Sequence, residues 1–265
     1  LGTLPLHRAA EAHELSSFGM PMPDLPSDND EFMRRLGELP LFVQPGTDWL
    51  YNTASDVQGV LVARASSQSL GAFLKERIFA PLGMADTAFY VPPAKHGRFL
   101  SANRMMGRTL VPFDSPTTGA WTRPPLFEQG HSGLVSTVDD YLRFAKLLLN
   151  DGRHGGKALI SSASVKEMTR NQLTVEQRSS GAPFLRPNDG WGFGLVVTGG
   201  KEEEGTGPQS LTWSGGLKRW MYTTLNELSE KLELRLALRP EGSWSGPITL
   251  VDLAKGHPQA YGAFM

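Results

Sequence analysis

Apolar positions recur at helical spacing through the first part of the chain and switch to strand-like alternation near its end. Residues 1–27 are rich in Pro, Met and Ser without a sustained period and read as irregular. Ser27, paired with Asp30 as a capping signal, is expected to open a short helix with Phe32 and Leu36 one turn apart. Gln44-Pro45-Gly46-Thr47-Asp48 reads as a turn. It is followed by the aromatic segment Trp49-Leu50-Tyr51-Asn52-Thr53 and a helix over about 54–65, with Val57, Val60 and Leu61 on one face. A second helix starts at Ser69, carries Leu70, Phe73, Leu74 and Ile78, and stops near Pro81, whose missing N–H cannot continue the ladder.

Residues 91–130 scatter Pro and Gly through polar stretches and show no clear element, so they read as a long excursion. The strongest helical signal spans 137–150. Ser136 and Thr137 each have an Asp three residues on, and Val138, Tyr141, Leu142, Ala145, Leu148 and Leu149 form an apolar stripe. Asn150-Asp151-Gly152 ends it. A further short helix begins near Ser161 or Ser162. From there the period changes: Trp191–Val197, Ser210–Trp213, Arg219–Leu225 and Leu232–Arg239 read as strands, and the acidic run within Gly199–Gly207 as a solvated hairpin loop. Helices in the middle and antiparallel strands at the end predict an α+β fold. The expected organisation is a single partial domain over 1–265, with an irregular lead-in at 1–40, a mostly helical region at 41–190, and antiparallel strands and tail at 191–265.

Composition narrows the chemistry. The 26 Lys and Arg against 27 Asp and Glu leave a formal net charge of -1, so no global basic field exists to attract nucleic acid. The absence of cysteine excludes disulfides, thiolate metal sites and a cysteine nucleophile. No apolar run approaches a membrane span. No secretory signal is readable after Leu1-Gly2-Thr3, which leaves the compartment unassigned with the cytoplasm favoured, and the chain reads as beginning in the middle of something. No cofactor is implied, and the oligomeric state is not specified.

Several catalytic patterns are missing. No Ser lies three residues before any of the nine lysines, so there is no S-x-x-K. Gly130-His131-Ser132-Gly133-Leu134 fails the nucleophile-elbow pattern because Leu stands two after the Ser. There is no H-E-x-x-H and no phosphate-binding G-x-x-x-x-G-K-[ST], and the six histidines show no ligand spacing. His131, Ser132 and Gly133 read as loop-shaping residues ahead of the capped helix.

What remains is an ordered series of motifs. Pro45-Gly46-Thr47-Asp48-Trp49-Leu50-Tyr51-Asn52 leads into Asp56-Val57-Gln58-Gly59-Val60, then Phe73–Phe79, Pro81-Leu82-Gly83-Met84 and Asp86-Thr87-Ala88-Phe89. Gly133-Leu134-Val135-Ser136-Thr137, Trp191-Gly192-Phe193-Gly194 and Trp213-Ser214-Gly215-Gly216 follow. Over roughly 40–216 the series resembles the serine β-lactamase-like hydrolases, which include class C β-lactamases, penicillin-binding proteins and family VIII carboxylesterases.

The resemblance implies an acyl-enzyme mechanism in which an S-x-x-K serine attacks the substrate carbonyl and a Tyr from a Y-x-N element handles the proton together with the lysine. Tyr51 matches that tyrosine, and Thr53 stands where the asparagine would be. Trp213-Ser214-Gly215 matches the strand motif in its W-x-G form, as in the carboxylesterases, and Gly216 falls where a second oxyanion N–H would come from. The implied partner is a small acyl ester or β-lactam-like substrate. The implied S-x-x-K helix would lie N-terminal to Tyr51, on sequence this chain does not contain. Beyond Gly216 the resemblance fades, since Lys218-Arg219-Trp220 replaces small residues and a terminal helix is hard to find in Pro247–Met265. The expectation is therefore a carboxylesterase-like serine hydrolase, inactive alone for want of its nucleophile, with a β-lactamase or D,D-peptidase relative and a non-catalytic ligand-binding module as alternatives.

Overall fold

A computed structural model describes residues 28–41, 43–51, 54–106, 109–181, 185, 189–198, 210–212, 220–226, 231–237, 248–252 and 261–263; for 103–106, 109–110 and from 198 onward the description is of backbone alone. The chain divides into two compact units, one made of 1–42, 51–144 and 259–265, the other of 43–50 and 145–258.

The first unit begins with helix α1 (Asn29–Gly37). Its cap is Asp28 rather than Ser27, which lies outside the described residues. The Asp28 carboxylate accepts from the backbone N–H groups of Asp30 and Glu31 at 2.9 and 2.8 Å, satisfying donors that the helix start leaves open. Helix α2 (Ala54–Ser66) follows. Phe32 is fully buried and stacks on Phe127 at 4.5 Å between ring centres, with Val60 completing the cluster and Met33, Leu36, Leu39 and Val57 packed around it. Leu61, expected on the same face, is exposed instead. It flanks Val57 on the side away from Val60, so the buried stripe ends at Val57 and its Leu61 edge faces solvent.

Helix α3 (Leu70–Leu74) is capped by Ser69 and passes through a π-helical turn (Lys75–Phe79) into α4 (Ala80–Leu82). The wider turn has a local cause. Pro81 donates no N–H and its ring crowds the carbonyl four residues back, so loosening the ladder just before it lets the chain keep turning. Gly83, at φ 69°, then ends the helix in the left-handed conformation.

The stretch 91–130, expected to hold no element, contains a 3-10 turn (Pro93–Arg98) and an antiparallel hairpin of β1 (Ala102–Met106) and β2 (Thr109–Asp114). A second 3-10 turn (Ala120–Thr122) brings Trp121 into a core with Val91, Phe99 and Val135. The hairpin was hidden because its apolar residues do not alternate and Pro112 interrupts β2. Strand β3 (Val135–Thr137) pairs with β12 (Tyr261–Ala263) and bridges to Ala88, so the chain's last described residues close this unit.

Helix α5 (Val138–Leu149) starts directly from β3. Thr137 caps it, its hydroxyl accepting from the Asp140 N–H at 3.2 Å, whereas the Ser136 hydroxyl bonds Thr87 at 2.8 Å and caps nothing. Leu142 and Leu147 are the buried leucines, and Tyr141 and Leu149 of the expected stripe are exposed. Asp151 and Gly152, both at positive φ, turn the chain out of the helix.

The second unit continues with the small hairpin of β4 (Arg153–His154) and β5 (Lys157–Ala158), then α6 (Ser162–Thr169), capped by Ser161, and α7 (Val175–Ser180). The start of α7 is a capping box: the Thr174 side chain and Gln177 serve each other's backbone N–H. Its polar face hid it in the sequence. Trp191–Val197 is not one strand but two, β6 (Asp189–Trp191) and β7 (Val196–Thr198), folded back at a turn with Gly194 at φ 81°. β8 (Ser210–Thr212) joins them in a three-stranded sheet, and β9 (Trp220–Asn226), β10 (Lys231–Ala237) and β11 (Ile248–Asp252) form another. Within Pro247–Met265, where a terminal helix was sought, the described residues are the strands β11 and β12.

One close approach fixes the first unit's interior. Gly130 sits against the start of α2 so tightly that a Cβ there would lie 1.8 Å from the Ser55 carbonyl oxygen. Gly130→Ala is expected to cost about 2–3 kcal/mol in urea unfolding, because backbone has to move. Gly37→Ala, with open space around it, should stay within about 1 kcal/mol. Phe32→Ala, which empties the fully buried stack, should cost about 3–5 kcal/mol.

Candidate active site

Of the candidate site residues, Tyr51 is the one that falls among the described residues. It stands at the entrance to α2, half-buried, and loss of water around the phenol pushes its pKa up to about 12. Thr53, Trp213, Ser214, Gly215 and Gly216 lie outside the described residues. β8 is described over Ser210–Thr212, the three residues before the W-x-G segment.

The neighbour Trp49 packs elsewhere. Its ring lies 5.0 Å from that of Trp191, and its N–H donates to the Ser180 hydroxyl at 2.9 Å. The Gly46 carbonyl accepts from the Gln177 side chain at 2.7 Å. The turn and Trp49 are thus seated on α7 and β6, within the second unit.

Beside Tyr51 in sequence, the first turn of α2 carries a group that sequence reading left unassigned. Asp56 is the third residue of the helix and 2% exposed. Its Oδ1 accepts from the backbone N–H of Gly130 at 2.9 Å and of His131 at 3.3 Å. His131 Nδ1 lies 2.8 Å from both carboxylate oxygens. A carboxylate beside a helix N-terminus is favoured by the dipole, and one this far from water needs its donors supplied by the protein. The direction of the contact fixes the imidazole: with Asp56 ionised, Nδ1 must carry the proton, which leaves Nε2 as the ring's second functional atom.

The rest of this loop is equally tied. Glu128 accepts from the Gly71 N–H at 2.7 Å in the first turn of α3, where a Cβ on Gly71 would strike the same carboxylate. Ser132 donates to Gln129 Oε1 at 2.6 Å. The Gln129 Nε2 is buried with no hydrogen-bond partner among the described residues. Trp121 Nε1 donates to the Gly133 carbonyl at 3.0 Å. Segment 128–133 is therefore a fixed edge that begins at α3, crosses the start of α2 and runs into β3. The expectation that His131 shapes this loop holds, but its partner was invisible because Asp56 lies 75 residues away.

Among the described residues, no three His, Asp or Glu side chains are grouped to hold a metal ion, and no helix is long and apolar enough to cross a membrane.

Comparison with known proteins places this geometry. The Beta-lactamase family model matches residues 13–238. An uncharacterized protein of Mycobacterium tuberculosis is 38% identical over 201 residues, 72% of this chain and 49% of the relative. Esterase EstB of Burkholderia gladioli is 31% identical over 245 residues, 84% of this chain and 58% of the esterase. The chain thus spans about half the length of the curated relatives it matches. Among solved structures, EstCE1, described as a hydrolase with promiscuous acyltransferase activity, superposes with a TM-score of 0.62 at 20% identity, covering 82% of this chain and 57% of that one. That likeness is one of fold, and it agrees with the α+β order of elements read from the sequence. The family model covers most of the chain, and with it the Tyr51 segment and the strands that follow: the chain belongs to the Beta-lactamase family, within the serine β-lactamase-like hydrolase superfamily.

Proposed function

We propose that this chain forms the tyrosine side of an acyl-transfer site in a carboxylesterase acting on small acyl esters. The observation that carries the reading is the half-buried Tyr51 phenol at the entrance to α2, which the sequence resemblance matches to a Y-x-N tyrosine. The W-x-G form of Trp213-Ser214-Gly215, the Thr at position 53 and the relatedness to Esterase EstB favour an ester over a β-lactam or a peptide. In this reading the attacking serine and its lysine come from an S-x-x-K segment outside the 265 residues, since none occurs within them.

The role assigned to Tyr51 is proton transfer. The serine hydroxyl adds to the ester carbonyl, its proton passes to the phenolate oxygen, and the phenol returns that proton to the departing alkoxide. Water then adds to the acyl-enzyme by the same route in reverse, releasing the acid and restoring the serine. A phenol held neutral by burial is a donor, not an acceptor. It becomes a proton acceptor near neutral pH only when a cation is placed beside it, which is the part the resemblance gives to the S-x-x-K lysine. Gly216 N–H would complete the oxyanion site, where each preorganised donor lowers the barrier by about 3 kcal/mol.

The 265-residue chain alone is expected to leave p-nitrophenyl butyrate unhydrolysed. Turnover by it that a serine-directed phosphonate blocks would require a different nucleophile. In a longer product carrying an upstream S-x-x-K, Tyr51→Phe is expected to lower kcat by about 10²–10⁴-fold. Faster turnover of a chromogenic cephalosporin than of the ester would favour the β-lactamase alternative, and tight acyl-ligand binding without turnover the binding module.

Burial of Tyr51 also has a pH signature in the chain by itself. The folded phenol titrates near 12 and the unfolded one near 10, so the folded state holds the extra proton between these values. This contribution to stability is complete below pH 10 and is lost as pH rises toward 12. The urea midpoint should fall across that window, and Tyr51→Phe should flatten the fall.

A further inference from the structure

The Asp56–His131 contact is a heavily bonded polar feature of the first unit that the proposed mechanism does not use. Three donors converge on one buried carboxylate: two consecutive backbone N–H groups and an imidazole. Its own helix turn directly follows the Tyr51 segment. On the opposite side Gly130 rests against the Ser55 carbonyl, so no side chain separates loop from helix. Glu128, two residues before Gly130, holds the same segment to α3. A cap for α2 alone would need none of these distant partners, because a helix start is satisfied by its own neighbouring residues. What the arrangement adds is a fixed relation between the α2 entrance, where Tyr51 sits, and the 129–133 edge, which presents the unpartnered Gln129 Nε2 and the second nitrogen of His131.

We infer that Asp56 is a positioning residue for Tyr51: through Gly130 and His131 it locks the entrance of α2 against the 128–133 segment, and so sets where the phenol oxygen stands relative to the reacting serine and lysine. This rests on the proposed acyl-transfer reading. Asp56 itself touches no reacting atom. Its effect is on geometry, and a phenol displaced from its lysine loses the charge that lowers its pKa. Small displacements of positioned groups are costly in rate without altering how substrate is held.

The first test needs no activity. In the 265-residue chain, ¹⁵N–¹H spectra of the imidazoles, assigned by comparison with His131→Asn, should show the His131 proton on Nδ1 and protected from exchange. Asp56→Asn, which keeps an oxygen for the backbone donors but removes the charge, should abolish that protection. A His131 proton resident on Nε2 in the unaltered chain would overturn the inference.

The second test uses the longer product with its S-x-x-K segment. Asp56→Asn is expected to lower kcat for p-nitrophenyl butyrate about 10–100-fold with KM within about threefold, and to move the acid limb of kcat/KM to higher pH. His131→Leu should do the same, and His131→Asn, whose amide can donate from the Nδ1 position, should recover most of the loss. Tyr51→Phe separates the two ideas. If it leaves turnover intact, the function reading falls and the inference with it. If Tyr51→Phe abolishes turnover while Asp56→Asn keeps the kcat and pH profile of the unaltered enzyme, the positioning role alone is overturned.

Discussion

A carboxylate removed from water at the start of a helix has to be answered by donors, and the first unit holds two of them, Asp56 and Asp140, with a part-buried third, Glu128, in a loop. Asp56, third in α2, receives Gly130 and His131. Asp140, third in α5 and 3% exposed, receives the Asp86 N–H at 2.8 Å, the Thr87 hydroxyl at 3.0 Å and an Arg143 N–H at 2.6 Å. Glu128 works in the reverse sense, reaching from a loop into the open N–H groups of α3. Each charge stands at a helix N-terminus, where the dipole favours it, and each binds a segment distant in sequence: Asp56 the Gly130–His131 backbone, Asp140 the Asp86–Thr87 turn, Glu128 the start of α3. The apolar clusters around Phe32 and Trp121 are not directional and would tolerate some slippage. The carboxylates do not, since a shift of an ångström leaves a buried charge short of a donor.

That division explains what could be read in advance. The α+β order, the helices at 54–65 and 137–150, the turn at Gly46 and the strand read at Leu232–Arg239, described over Lys231–Ala237, follow from period, caps and breakers, all of which are local. Phe32 and Val60 were legible as core for the same reason. The elements that escaped are those whose local signal is weak. The β1–β2 hairpin lacks alternation, α7 has a polar surface, and β6 and β7 are too short to show a period on either side of their turn. The Asp56–His131 pair escaped on different grounds. Asp56 reads as an ordinary first-turn acid and His131 as a loop histidine, and nothing in their own surroundings couples residues so distant. The trace that did exist was Gly130, a glycine outside any turn dipeptide, which pointed to a close backbone approach without naming the partner.

Tyr51 was singled out by another route, the order of motifs along the chain, and its burial bears on what that route implied. Burial alone stabilises the protonated phenol, the opposite of what a proton acceptor requires. A site assembled only from what surrounds α2 would therefore hold Tyr51 as a donor. The same burial is what gives a nearby ammonium its leverage, because the attraction between phenolate and cation grows as water is excluded. Under the proposed function a neutral, half-buried tyrosine supplies a phenol in a low-dielectric setting, and the ionising charge would come from the S-x-x-K lysine that the reading calls for. The positioning network then acquires a purpose that stability does not explain. Coulombic leverage falls with separation, so the benefit of bringing a lysine to this phenol depends on the phenol being where the lysine is. The carboxylate at the third position of α2 is the group best placed to keep it there.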